Sequence, residues 1–150
     1  MLLLLQIFAF IVVADMLWFR YSYPKFYRRM YSKINGNSTQ KSGKHRILSA
    51  LASWMILAIG IWYFGVVTSK GSLDSLLRGA MLGGVVYGVS NTASYTTINR
   101  FRLKTALIDI AWGVALCAFT ALFFRLVYRP SSAELDPIGM RATGIGSFII

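Results

Sequence analysis

Residues 105–127 read TALIDIAWGVALCAFTALFFRLV, a continuous apolar run with one carboxylate, Asp109, near its start. A hydrocarbon core of about 30 Å takes about 20 helical residues at a rise of 1.5 Å each, so this run is long enough to cross. Lipid offers no hydrogen bonds, so a spanning segment must satisfy its backbone as a helix or within a closed barrel. The apolar residues are consecutive rather than alternating, which selects the helix. Residues 1–19, 47–67 and 79–98 show the same pattern. The chain is therefore expected to be all-α: a polytopic integral membrane protein, a four-transmembrane-helix bundle over residues 1–129 with an extramembrane tail over 130–150.

Composition agrees. Hydrophobic residues make up 56% of the 150 positions, above the share in ordinary soluble domains. Little sequence lies outside the spans, which leaves no room for a soluble catalytic domain. The first run resembles a secretory signal in position only. It has no basic leader, carries Asp15, and ends in Phe19-Arg20-Tyr21 rather than small residues. It is read as a mature helix.

The formal net charge is +11, and its placement predicts topology. The 20–46 connection holds Arg20, Lys25, Arg28, Arg29, Lys33, Lys41, Lys44 and Arg46 and no acid. The next connection on the same side holds Arg100, Arg102 and Lys104. The opposite side mixes Lys70, Arg78, Arg125, Arg129 and Arg141 with Asp74, Glu134 and Asp136. The positive-inside rule puts the basic loops in the cytosol and both termini on the opposite face. The sequon Asn37-Ser38-Thr39 would then face away from the glycosylation machinery and stay unused.

Residues 21–31 interleave Tyr21, Tyr23, Phe26, Tyr27 and Tyr31 with Lys25, Arg28 and Arg29. Directly after a spanning helix, this pattern reads as a segment at headgroup level, with cations toward anionic lipid. The same residue types also suit nucleic acid, but no specific nucleic-acid partner is expected. The tail contains Pro130 and Pro137 and ends apolar in Phe148, Ile149 and Ile150, a candidate docking element for a partner protein.

The third run is rich in small residues. Gly79 and Gly83 are four apart, as are Gly84 and Gly88, the spacing that lets helices approach closely in lipid. Ala111, Gly113, Ala115, Ala118 and Ala121 on the fourth run offer a matching surface. Packing of these two helices within one chain is the favoured reading, and a homodimer through the glycine face is the competing one. Trp62 and Tyr63 suit an aromatic belt. Cys117 is the sole cysteine and His45 the sole histidine, so no disulfide, metal site or cofactor is expected. Cys117 reads as a small buried residue.

Two carboxylates inside spans carry the functional question, because charge in lipid is costly and marks pairing or function. Asp15 and Asp109 both fall about four residues inside the same interface, and Ser90, Asn91, Ser94 and Tyr95 approach that depth. These positions predict an intramembrane polar cluster of Asp15, Asn91, Ser94 and Asp109, with Arg20, Arg102 and Lys104 as candidate counter-charges. Each acid opens the same pattern, Asp15-Met16-Leu17-Trp18 and Asp109-Ile110-Ala111-Trp112. The functional reading is a proton relay or a small ligand site. The competing reading is structural, with the carboxylates fixing bundle register. It is favoured because 114–119, Val-Ala-Leu-Cys-Ala-Phe, interrupts any polar path.

Tyr87-Gly88 through Asn91, Leu103-Lys104, Asp109-Ile110-Ala111-Trp112-Gly113, and Asp15-x-x-Trp18 followed by Phe26-Tyr27-Arg28 together resemble a domain-of-unknown-function family of small four-helix membrane proteins found in bacteria and large DNA viruses. The resemblance covers roughly residues 8–128. The family often carries aspartate at the position of Asn91 and asparagine at that of Ser94, a difference that argues against a strict carboxylate relay. The resemblance implies architecture rather than chemistry. Its viral members imply a non-enzymatic structural role, tying an internal virion membrane to capsid proteins. The alternative is a small transporter of the bacterial inner membrane using the Asp15/Asp109 cluster. An enzyme is not expected, since no nucleophile is paired with a base.

Overall fold

The computed structural model describes residues 2–22, 24, 43–98 and 101–128. Four long helices make up the described residues, with no strand among them. Helix α1 spans Leu2–Ser22 and α2 spans Gly43–Gly60. Helix α2 continues without a break as a π-helical segment, Ile61–Val67. Helix α3 spans Ser72–Thr97 and α4 spans Leu103–Val127. The fold is an all-α polytopic membrane bundle.

Three helices, α1, α2 with its π segment (Gly43–Val67), and α4, are long and apolar enough to cross a membrane. Helix α3 differs from the expectation for a span. Its 26 residues are long enough, but Asp74, Arg78 and its many Gly, Ser and Thr residues dilute its apolar character. It follows α4 instead. The close approaches pair Gly79 with Cys117 and Ala121, Gly83 with Gly113, and Asn91 with Asp109, an antiparallel register held along both helices. This is the most extensive interface of the bundle.

Glycine creates that interface. A methyl group at Gly79 would lie 2.5 Å from the Cys117 carbonyl oxygen and 2.8 Å from the Ala121 Cβ. One at Gly83 would collide with the Gly113 backbone, and one at Gly113 with the Tyr87 ring. The expected packing set is narrower than sequence spacing suggested. Gly84 makes only ordinary contact with Val114, at 3.6 Å, and Gly88 has nothing within 4 Å. The Gly84/Gly88 stripe is turned off the α3–α4 seam.

The interior divides lengthwise. Toward the α2–α3 turn, Ile7, Ile11, Ala58, Ile61, Val66, Leu116, Cys117, Ala121 and Phe124 form an apolar core. The π segment lies in this half. It packs on both α3 and α4, with Gly65 so close to Ala121 that an added Cβ would come within 2.7 Å of its Cβ. Ser75 closes the turn by donating to the Gly65 carbonyl at 2.6 Å, and Ser69 donates to Val66 at 3.0 Å. Toward the α3–α4 connection the interior is polar.

The outside is apolar. Leu2, Leu5, Val13, Met16 and Leu17 on α1 and Phe119, Phe123 and Leu126 on α4 are exposed, a surface that only a lipid environment would solvate. Polar residues on the exposed faces bond to their own helix. Ser49 donates to the His45 carbonyl, Ser53 to Ser49, and Thr97 to Ala93, as a helix in a hydrogen-bond-free solvent requires.

The two glycine classes predict opposite responses. Gly83→Ala should destabilise the bundle by about 1–3 kcal/mol, the usual cost of overpacking. Gly88→Ala should be neutral or stabilise by up to about 1 kcal/mol through helix propensity. Thermal unfolding of the two variants in the same detergent checks the difference.

Candidate functional site: an intramembrane carboxylate network

Asp15 sits between all the other helices. Its Oδ2 accepts the Trp54 indole N–H from α2 at 2.8 Å, and its Oδ1 accepts the Trp112 N–H from α4 at 2.8 Å. The Tyr87 hydroxyl on α3 approaches Oδ2 at 3.5 Å. One side chain on α1 thus takes donors from α2, α3 and α4. Every donor is neutral, and Arg20, Arg102 and Lys104, the expected counter-charges, are exposed.

The second carboxylate closes the α3–α4 side. Asp109 Oδ2 accepts from Asn91 Nδ2 at 2.8 Å, and the same nitrogen donates to the Tyr87 carbonyl at 3.0 Å. Asn91 is buried and satisfied twice. Tyr87 links the two acids, with its carbonyl bonded to Asn91 and its hydroxyl directed to Asp15. Gly113 is what admits the Tyr87 ring between α3 and α4. The two Asp-x-x-Trp patterns interlock crosswise. The acid of the first takes the tryptophan of the second, and Trp18 stacks on Trp112 with centroids 4.5 Å apart and planes 3° from parallel.

The chain belongs to the DUF2177 family of predicted membrane proteins.

The family model matches residues 1–125, which includes every member of this network. No curated protein and no solved structure matches the chain. Membership therefore supports the membrane architecture and leaves the chemistry to be argued from the site.

Of the expected cluster, Asn91 and Asp109 pair directly and Asp15 joins them through Tyr87. Ser94 bonds instead to its own helix, at the Ser90 carbonyl, 2.9 Å away. Helix α1 runs three residues past the expected end at Phe19, so Asp15 lies about 10 Å from its end rather than about 6 Å. Asp109, six residues into α4, is about 9 Å in. The expected lipid or partner contacts Lys25, Arg28, Arg29, Phe148, Ile149 and Ile150 lie outside the described residues. Cys117 is buried and free.

Sequence reasoning passed over Trp54, Tyr87 and Trp112 as partners of Asp15. A signal was present. Trp54 is 11 residues beyond the start of α2 and Trp112 is nine beyond the start of α4, too deep for a headgroup belt. A buried indole N–H usually finds an acceptor, and carboxylates at similar depth were the strongest acceptors available.

Trp54→Phe and Trp112→Phe each remove one donor from Asp15. Interhelical hydrogen bonds in membranes average about 0.6 kcal/mol and reach about 1.7 kcal/mol. Each variant should lose stability in that range, and combining either with Asp15→Asn should cost less than the sum of the two single changes. Additive losses in unfolding experiments would contradict the shared bond.

Proposed function

We propose that this chain is a small, non-enzymatic transporter of bacterial type, in which Asp15 is the group that exchanges a proton or a cation. One observation carries the reading: the Asp15 carboxylate is held at depth by three neutral donors, each from a different helix. Intramembrane carboxylates facing a bundle interior are typical of substrate and proton pathways. A negative charge with no cation bonded to it among the described residues is stabilised by taking up a proton or a positively charged solute. The same event changes what Trp54, Tyr87 and Trp112 can donate to, so occupancy is coupled to the relative positions of all four helices. Asp109, bonded to Asn91, supplies a second acceptor on the side nearer the α3–α4 connection. The buried Trp18 N–H, with no hydrogen-bond partner among the described residues, is a further donor one turn from Asp15. In this reading the basic connections face the cytosol and the termini face the other side.

The reading as an anchor between a virion membrane and its capsid draws on the basic loop and the tail. Residues 25–42 and 129–150 lie outside the described ones; the transporter reading rests on the intramembrane network alone.

Proteoliposomes loaded with pyranine and given an imposed pH gradient test the proposal. Wild-type protein should dissipate the gradient faster than empty liposomes. Asp15→Asn should reduce the rate to the empty-liposome level while its melting temperature shows that it is folded. Wild-type rates equal to those of empty liposomes, both under the pH gradient and when a sodium or potassium gradient is imposed in its place, overturn the proposal, as do full rates in folded Asp15→Asn.

A further inference from the structure

The opposite half of the bundle carries a second feature that the carboxylate network does not use. A groove of about 560 Å³ runs between the π segment of α2 and the outward face of α3. Leu77, Met81 and Val85, one turn apart on α3, line it and are 54%, 72% and 63% exposed. Phe64 and Leu82 line it as well, and Leu82 is seated under Gly60. Asp74 and Arg78 form its polar end.

That end has a defined geometry. The Arg78 Nε contacts both carboxylate oxygens of Asp74 at 2.9 Å, and Arg78 Nη1 reaches the Thr68 hydroxyl at 3.3 Å. The Lys70 amide donates to Asp74 Oδ2 at 2.8 Å. The pair is partly exposed, with about a third of each side chain open. A positive and a negative group therefore sit side by side at the mouth of an apolar furrow.

Length fixes the depth. From Asp74 to Val85 is 11 residues, about 16 Å along the helix, and half of a 30 Å hydrocarbon core is about 15 Å. The furrow is about as long as one leaflet is thick, and a charged end on an apolar furrow of that length suits the headgroup level. Small residues on the other side of α3, Ser75, Gly79 and Gly83, are buried, so the groove face is the side α3 turns away from α4.

We propose that this groove binds one phospholipid whose headgroup carries both a phosphate and a primary ammonium, the chemistry of phosphatidylethanolamine. The phosphate pairs with Arg78 and lies within the field of Lys70. The ammonium donates to Asp74, and an acyl chain lies along Leu77, Met81 and Val85. A trimethylammonium headgroup has no N–H to donate to Asp74. A headgroup with no cation sets its charge against that carboxylate. The Asp74–Arg78 pair thus complements one class of zwitterion and disfavours the others.

Native mass spectrometry of the full chain in detergent, with equimolar palmitoyl-oleoyl phosphatidylethanolamine, phosphatidylcholine and phosphatidylglycerol, tests this. Phosphatidylethanolamine should be retained about fivefold over each competitor, the equivalent of one exposed charge pair. Asp74→Asn should bring it down to the phosphatidylcholine level, and Arg78→Gln should lower retention of all three. Asp74 also helps to close the α2–α3 turn, so Val85→Trp provides a variant that fills the furrow and leaves the turn intact. It should displace the lipid without lowering the melting temperature. Equal retention of the three lipids, or phosphatidylethanolamine retention unchanged in Val85→Trp, overturns the proposal. So does a concentration-dependent dimer that forms through this face and excludes lipid.

Discussion

A carboxylate placed in lipid has to be satisfied by protein, and in this bundle that requirement falls on Asp15. Asp15 is partly buried between the helices, and leaving a buried acceptor unmatched is expensive. The requirement is met from three helices at once, by Trp54, Tyr87 and Trp112. Several other features follow. Tyr87 reaches Asp15 because Gly113 leaves room for its ring. Trp112 is fixed in orientation by its bond to Asp15 and offers a face to Trp18. Asn91, one turn beyond Tyr87, is bonded to Asp109 and to the Tyr87 carbonyl, which ties the second acid to the first.

The helices are held together by different physics at their two ends. Near the α2–α3 turn the means are close packing and small residues: the Gly79 and Gly83 seam, Gly65 against Ala121, and an apolar core from α1, α2 and α4. Lipid tails are as apolar as that core, so contact geometry rather than hydrophobicity provides the attraction there. Near the α3–α4 connection, directional hydrogen bonds take over. A bundle that is rigidly packed in one half and polar in the other has its adjustable contacts in the polar half. Loss of charge at Asp15 changes the acceptor for three helices while the glycine seam stays closed. The proposed exchange of a proton or cation at Asp15 relies on this division.

Most of the architecture was legible in the sequence because lipid imposes length and apolarity on each helix separately. The spans and the intramembrane acids follow from that one-dimensional rule, and the pairing of the third and fourth helices follows from the four-residue spacing of small residues. Partner choice does not. The Asp-x-x-Trp spacing places both side chains on one helix face, yet each acid finds its partners on other helices, and no local pattern encodes which ones. Ser94 has the right depth but satisfies itself on its own helix, a choice open to every serine in a helix. Gly88 repeats the spacing of Gly84, but the seam follows Gly79 and Gly83, a distinction made by the rotation of α3 about its axis. The π segment, Ile61–Val67, gave no sequence signal, because its residues suit an ordinary α-helix equally well. Helix α3 read as one more apolar span, but Gly79, Gly83 and Asn91 serve its contact with α4 while Asp74 and Arg78 face away from it.

The most direct test of this account is the state of the indole N–H groups. The chain has four tryptophans, and two of them, Trp54 and Trp112, donate to Asp15. Nuclear magnetic resonance of protein labelled with nitrogen-15 at the indole, in detergent micelles, reports each one separately. In wild-type protein the Trp54 and Trp112 protons should resonate downfield and exchange slowly. In Asp15→Asn both should move upfield, with Trp62 unchanged. Indole signals of Trp54 and Trp112 that are indifferent to Asp15→Asn would contradict a bundle organised around that carboxylate.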